Sequence, residues 1–214
     1  MQRFRNETTM TYQQFYQQWH PFACFCTQQV RAIYPTFNRS NYLQWQRQGY
    51  IVSLRKGWYA FADCLQQPDI ARYFAGKIYD PSYISLHTAL SFYGIIPEQV
   101  VEITSVTTRK TASFSNSFAS YSYQTVRTNL FWGYTPMMLT DGKTYMMATP
   151  EKALLDLLYL YPQYHTEADM LDLRLDDDWL AEELDQSRLK EYLSRIASPS
   201  LSQRIETLKK AYRL

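Results

Sequence analysis

Polar side chains with the chemistry to read DNA bases fall on one side of the helical segment "NRSNYLQWQRQG". At about 100° per residue, the aromatic Tyr42 and Trp45 take the other side. An Arg guanidinium forks onto guanine, a Gln amide pairs with adenine, and Leu43 beside them can touch a thymine methyl. The alternative is a helix face that is merely soluble. The base-reading side is predicted to present Arg39, Ser40, Gln44 and Arg47.

A basic hairpin follows this helix, in "RQGYIVSLRKGWYAF". Two strands are predicted, Tyr50–Leu54 and Trp58–Phe61, joined by a tight Arg55-Lys56-Gly57 connection. Gly49 is a signal for the end of the preceding helix, and Gly57 permits the turn between the strands. Arg55 and Lys56 then lie at the tip, where they can reach phosphates, with Trp58 beside them.

Catalytic and metal-binding patterns are weak by comparison. The histidines, His20, His87 and His165, are far apart, and Ser85 two residues before His87 would not share its helix face. No phosphate-binding glycine loop occurs. The alternation in "CFC" favours buried structural cysteines over a zinc pair. We therefore expect a protein that is not an enzyme, with no metal site and no cofactor.

Charge is distributed unevenly over the 214 residues, whose net charge is +2. Residues 1–65 carry seven Lys and Arg against two Asp and Glu, whereas residues 66–214 carry 15 against 18. A basic first third indicates an anionic partner for that part of the chain. Three cysteines suit a reducing cytoplasm, and with no long apolar run or signal-peptide core we expect a cytoplasmic protein without a membrane partner.

The elements that position the basic residues are predicted to be three short helices and the hairpin. The first helix carries aromatic residues from Tyr12 to Trp19, the second is capped by Thr27 and stopped by Pro35, and the third begins at a capping Asn38. Three helices followed by a two-stranded hairpin are the parts of a winged helix-turn-helix. We predict this domain over residues 1–65.

Residues 66–214 are predicted to form a mixed α+β domain. A helix is expected over Ser82–Tyr93, followed by alternating strands and a hairpin turning at Asp141-Gly142. Thr149 caps the helix in "TPEKALLDLLYLYP", with Pro150 at its first position. Two or three closing helices should pack on the sheet, in an acidic tail whose negative charge would keep it away from DNA.

Five segments, taken in order, resemble the AbiEi family of bacterial antitoxins and transcriptional regulators from type IV toxin–antitoxin systems. They are "CFCTQQV", "NYLQWQRQGYIVSLRKGWYAF", "YISLHTALSFYGIIPE", the strand end Val106–Arg109, and "ATPEKALLDLLYL". The resemblance covers the chain from roughly Tyr12 onward. This chain departs from the family in one respect, since its first helix is rich in Gln and not notably basic.

The resemblance implies a winged helix that binds its own promoter DNA and a C-terminal domain that counters a nucleotidyltransferase-like toxin. Carried over by position, the DNA-binding set is Arg39, Ser40, Gln44, Arg47, Arg55, Lys56 and Trp58. A protein-interaction module, whose winged helix docks a partner protein, is the alternative. A nuclease or another nucleic-acid enzyme is a third hypothesis.

Overall fold

The computed structural model describes residues 10–214, which form two compact units. The first unit contains the described residues up to Ile70 together with Ser115–Phe118, and the second contains Ala71–Phe114 and Ala119–Leu214. Both helices and strands are abundant, and the chain ends in a run of helices. The predicted mixed α+β class and the closing helices are therefore confirmed. Within the described residues, no helix is both long and apolar enough to cross a membrane.

Three helices precede the hairpin of the first unit: α1 (Tyr12–Trp19), α2 (Thr27–Ile33) and α3 (Ser40–Arg47). The first begins at a capping box, in which Thr11 and Gln14 satisfy each other's backbone N–H groups. The prediction that Thr27 caps α2 is wrong by one residue. Cys26 has the extended backbone of an N-cap, and its N–H donates to the Gln29 side chain at 3.1 Å.

A three-stranded antiparallel sheet completes the first unit, in the order β1 (Cys24–Cys26), β3 (Trp58–Phe61) and β2 (Ile51–Arg55). The predicted hairpin is confirmed, although β2 begins at Ile51 and not at Tyr50. Gly57 turns the chain with a φ of +82°, a conformation that glycine adopts without strain. The register shifts between Ser53 and Arg55, so that Arg55 lies opposite Trp58.

Helix α4 (Ile70–Ile78) starts at the last residue of the longer stretch of the first unit and continues into the second. The second unit is built on a six-stranded mixed sheet, in the order β6-β7-β5-β4-β9-β8. The strands are β4 (Ser82–Ile84), β5 (Glu102–Thr107), β6 (Ala112–Ser115), β7 (Ser120–Thr125), β8 (Tyr134–Met138) and β9 (Thr144–Ala148). The helix predicted over Ser82–Tyr93 is wrong in its first part. Ser82–Ile84 lies inside the sheet because it pairs with β5 on one side and β9 on the other, and α5 occupies only Leu86–Phe92.

Helix α6 (Pro150–Leu160) is the packing centre for the closing helices of this unit. The expected Thr149 cap is present, since its hydroxyl accepts from the N–H of Lys152 at 3.3 Å. Four helices follow within the described residues, where two or three were predicted: α7 (Glu167–Asp172), α8 (Asp177–Glu182), α9 (Gln186–Ile196) and α10 (Pro199–Tyr212). Both α9 and α10 pack against α6, and α10 also packs against α7.

A buried polar network joins α6 to β4. Lys152 forms an ion pair with Asp156 one helical turn further on, and both side chains are at most 4% exposed. Tyr83 and Ser85 donate their hydroxyls to the Asp156 carboxylate at 2.9 and 2.8 Å. Burial raises the pKa of Asp156, and the Lys152 ammonium opposes that shift. A Cβ on Gly133 would lie 3.0 Å from the Lys152 side chain, so glycine leaves room for it.

We predict that Lys152→Met destabilises the protein by about 3–5 kcal/mol, because it leaves the Asp156 carboxylate buried without its countercharge. Urea denaturation of the full chain measures the loss. Lys190→Met is the matched control, since Lys190 is exposed on α9 and its loss should cost less than about 0.5 kcal/mol. The double variant Lys152→Met, Asp156→Leu should recover most of the stability. Equal stability of the Lys152 and Lys190 variants would contradict the ion pair.

Candidate nucleic-acid interface

Helix α3 has one face that is fixed by aromatic packing. Tyr42 and Trp45 are 6% and 4% exposed. The Tyr42 ring stacks on Tyr59 of β3 at 5.4 Å, and the Trp45 ring lies 4.9 Å from Phe15 of α1. Burial also raises the pKa of Tyr42. The rotation of α3 about its axis is therefore set by rings on both neighbouring elements.

The outer face of α3, which we define as Arg39, Ser40, Leu43, Gln44 and Arg47, is exposed along its length. Leu43 is the apolar member and remains 53% exposed. A shallow groove runs over this face, lined by Ser40, Leu43, Gln44, Arg47 and Gln48. Gln48, the C-cap residue of α3, lies at the end of this groove. The structure thus brings Ser40, Gln44 and Arg47 onto one surface, with Arg39 at its start.

The first turn of α3 determines how the Ser40 hydroxyl can be used. The predicted Asn38 cap is wrong by one residue, because Arg39 takes the N-cap position, but the Asn38 side chain still bonds to the first turn. The Asn38 carboxamide oxygen accepts from the Ser40 N–H at 3.0 Å and from the Ser40 hydroxyl at 2.8 Å. Because its proton is donated to Asn38, the hydroxyl of Ser40 offers an acceptor to a ligand. That chemistry suits the exocyclic amino groups of adenine and cytosine.

Arg55, predicted to lie in the connection, is the last residue of β2. The basic hairpin turn, which we define as Arg55 together with Lys56 and Gly57, is tied to the start of α2. The Thr27 N–H donates to the Gly57 carbonyl at 2.9 Å. Lys56 is exposed and Arg55 is half-buried. This turn belongs to the same unit as α3, which packs against β2.

Trp58 occupies a different setting from the rest of the predicted set. It is half-buried in β3 and lies opposite both Arg55 and Cys26. Successive strand residues point to opposite faces, and the neighbouring Tyr59 packs on Tyr42, so Trp58 faces away from α3. Trp58 is therefore better placed to support the hairpin than to contact DNA bases.

Charge in the first unit favours an anionic ligand. Between residues 10 and 70 the chain carries five Lys and Arg against two Asp and Glu. One of the two acids, Asp63, is already in contact with His20 and Tyr16. The cations are Arg31, Arg39, Arg47, Arg55 and Lys56, four of them on the outer face of α3 or at the basic hairpin turn.

The second unit separates the Ser and His that stand two residues apart in sequence. Ser85 is fully buried and donates to Asp156. His87 lies instead in an open cleft with Glu98 and Glu102, where burial lowers its pKa. These two side chains therefore do not form a nucleophile and base.

No protein-family model matches the chain, and no curated protein matches its sequence.

We predict that the two faces of α3 respond oppositely to truncation. Trp45→Ala should destabilise the first unit by about 3–5 kcal/mol, since it removes a buried ring from the aromatic core. Leu43→Ala, two residues earlier on the outer face, should change stability by less than about 0.5 kcal/mol. Denaturant unfolding of the full chain, followed by tryptophan and tyrosine fluorescence, compares the two. Comparable losses would mean that the outer face of α3 is also packed.

Proposed function

We propose that this chain is a DNA-binding antitoxin that represses its own promoter, with its first unit acting as a winged helix-turn-helix. The observation that carries the proposal is the outer face of α3. It presents two guanidiniums, an amide and a hydroxyl acceptor on a helix whose other face is anchored in an aromatic core. In this proposal α3 is the recognition helix and the β2–β3 hairpin is the wing.

The outer face of α3 supplies sequence reading in the major groove. The groove of B-DNA admits an α-helix, and its base edges present acceptors and donors that Arg and Gln match in pairs. Gln44 and Arg47 are central to this face, one helical turn beyond Ser40 and Leu43. The exposed Leu43 beside them offers an apolar contact for a thymine methyl.

The basic hairpin turn supplies phosphate contacts. Lys56 is an exposed ammonium on a turn held by the Thr27–Gly57 hydrogen bond. Contacts to phosphate position the protein on the duplex and add affinity that falls with salt, without sequence information. Trp58 supports the turn from β3 in this arrangement.

The antitoxin part of the proposal comes from the resemblance to AbiEi proteins, whose C-terminal domain counters a nucleotidyltransferase-like toxin. The second unit would carry that activity here. Its acidic tail is a poor partner for DNA, because phosphates repel carboxylates. Between Glu151 and Glu191 the chain has four Lys and Arg against 12 Asp and Glu.

A protein-docking module is the second candidate function. Leu43 on α3 and Ile33 at the end of α2 are 53% and 58% exposed. Exposed aliphatic side chains on a basic unit would bind an acidic, partly apolar segment of a partner protein.

The decisive experiment is a titration of the full chain on duplexes carrying its own upstream region and on scrambled duplexes, at several salt concentrations. We expect Arg47→Ala to weaken binding to the upstream duplex by about 1–3 kcal/mol, with a smaller loss on scrambled DNA. Arg47→Lys keeps the charge but loses the planar fork, so it should lose sequence preference and retain the salt dependence.

Lys56→Ala should behave differently, because a phosphate contact carries no sequence information. Binding to both duplexes should weaken alike, and the salt dependence should flatten by roughly one unit of slope. Lys190→Ala removes an exposed ammonium from the second unit and is the matched control. If folded Arg47 and Lys56 variants bind the upstream duplex as wild type does, α3 is not the DNA reader, and the docking function takes its place.

A further inference from the structure

Three side chains with metal-binding donor atoms converge at one end of the first unit. His20 lies in a 3₁₀ turn directly after α1, and Asp63 and Cys64 lie in a second 3₁₀ turn directly after β3. Their imidazole nitrogen, carboxylate oxygen and thiol sulfur lie within 4.8 Å of one another. Two segments distant in sequence therefore bring nitrogen, oxygen and sulfur donors to one point.

The His20 nitrogen that faces this point has no hydrogen-bond partner among the described residues. Its Nε2 atom is buried and lies 3.0 Å from Oδ2 of Asp63, but without the geometry of a hydrogen bond. Cys64 is fully buried, and none of the three cysteines forms a disulfide. A buried imidazole nitrogen, a carboxylate and a thiol together offer a cation three donor atoms of the kinds that bind metals in proteins.

We propose that His20, Asp63 and Cys64 form a site for a thiophilic divalent cation, with Zn²⁺ as the chemical match. Zinc prefers this mixture of donors in tetrahedral geometry, with imidazole, carboxylate and thiolate at about 2.0–2.3 Å. A carboxylate and a thiolate together carry two negative charges, which balance the two positive charges of the ion. Binding releases the thiol proton of Cys64 to solvent, and a water molecule takes the fourth position.

Neighbouring side chains already hold two of the ligands in position. The Tyr16 hydroxyl donates to Oδ2 of Asp63 at 2.5 Å. The same Tyr16 ring stacks on the His20 imidazole at 4.3 Å, and Phe61 packs against that imidazole at 5.4 Å. Hydrogen bonds and packing of this kind orient metal ligands and strengthen binding. Asp63 is exposed, which gives the ion an approach from solvent.

A metal here would link the start of the first unit to its end. His20 precedes β1, whereas Asp63 and Cys64 follow β3. Because the ligands are separated along the chain and gather only on folding, metal binding stabilises the folded unit. This role is independent of whether the outer face of α3 binds DNA.

The test is a titration of the metal-free 214-residue chain with Co²⁺, a spectroscopic substitute for Zn²⁺. We expect one equivalent to bind, with the visible bands of a tetrahedral site and a thiolate-to-cobalt charge-transfer band in the near ultraviolet. Zn²⁺ should displace the cobalt and remove these bands. Zn²⁺ should also raise the thermal unfolding temperature of the wild-type protein.

Substitutions test which residues bind the metal. Cys64→Ser should abolish the charge-transfer band, and His20→Gln and Asp63→Asn should each weaken metal binding by at least about tenfold. Cys26→Ser is the matched control: it removes a half-buried thiol from the same unit but outside the cluster, and should leave the band intact. Tyr16→Phe, which removes only the hydroxyl that orients Asp63, should weaken binding by about tenfold.

Circular dichroism establishes that each variant is folded. If Cys64→Ser does not fold, the variants at the exposed Asp63 and the half-buried Tyr16 still test the site. The proposal is overturned if folded wild-type protein shows no charge-transfer band and no stabilisation by Zn²⁺. It is also overturned if the band disappears in Cys26→Ser but survives in Cys64→Ser. In either case the cluster is a polar contact between two turns and binds no metal.

Discussion

Tyr42 and Trp45 hold α3 in one rotational setting, because their rings are packed among aromatic side chains of α1, β1 and β3. Aromatic rings bury large areas and prefer specific relative orientations, so a rotation of α3 would break several contacts together. The outer face is exposed for the same reason that the inner face is buried. Everything proposed about DNA reading depends on this packing, since Gln44 and Arg47 are useful only if they point outward from a rigid element.

The second unit is organised around charged groups that are not exposed. Most of α6 is buried, including Glu151, Lys152 and Asp156. Lys152 and Asp156 pair with each other and form hydrogen bonds with the hydroxyls of Tyr83 and Ser85. Glu151 accepts hydrogen bonds from the Arg188 guanidinium at 3.4 Å and from the Asp185 N–H at 3.3 Å. Because an unpaired buried charge is costly, this network restricts how α6 can sit on β4 and α9. We infer that this network fixes the position of α6 along its neighbours.

The two units therefore differ in where their charged side chains lie. In the first unit, the cations of α3 are exposed on an aromatic core, and His20, Asp63 and Cys64 gather their donor atoms at a partly buried position. In the second unit, the α6 charges are buried and paired. An exposed cationic face is suited to a polyanion that arrives from solvent, whereas a buried pair contributes to folding. This contrast supports assigning DNA recognition to the first unit.

The sequence by itself determined those elements that are encoded by residues close together in the chain. Helical periodicity separated the two faces of α3, Gly57 marked the hairpin turn, and Thr149 with Pro150 marked the start of α6. These features follow from backbone geometry and capping, which neighbouring residues decide. The outward placement of Arg39, Ser40, Gln44 and Arg47 was predictable on the same grounds.

Tertiary structure alone decided the features that need partners far away in the chain. Ser82–Ile84 became a strand because β5 and β9 flank it, although its own sequence resembles the start of a helix. Lys152 and Asp156 look like ordinary helix-surface charges until Tyr83 and Ser85 of another segment enclose them. His20 gained Asp63 and Cys64 as neighbours only when β1 and β3 paired. No spacing pattern encodes such contacts, because they depend on how separate elements pack in three dimensions.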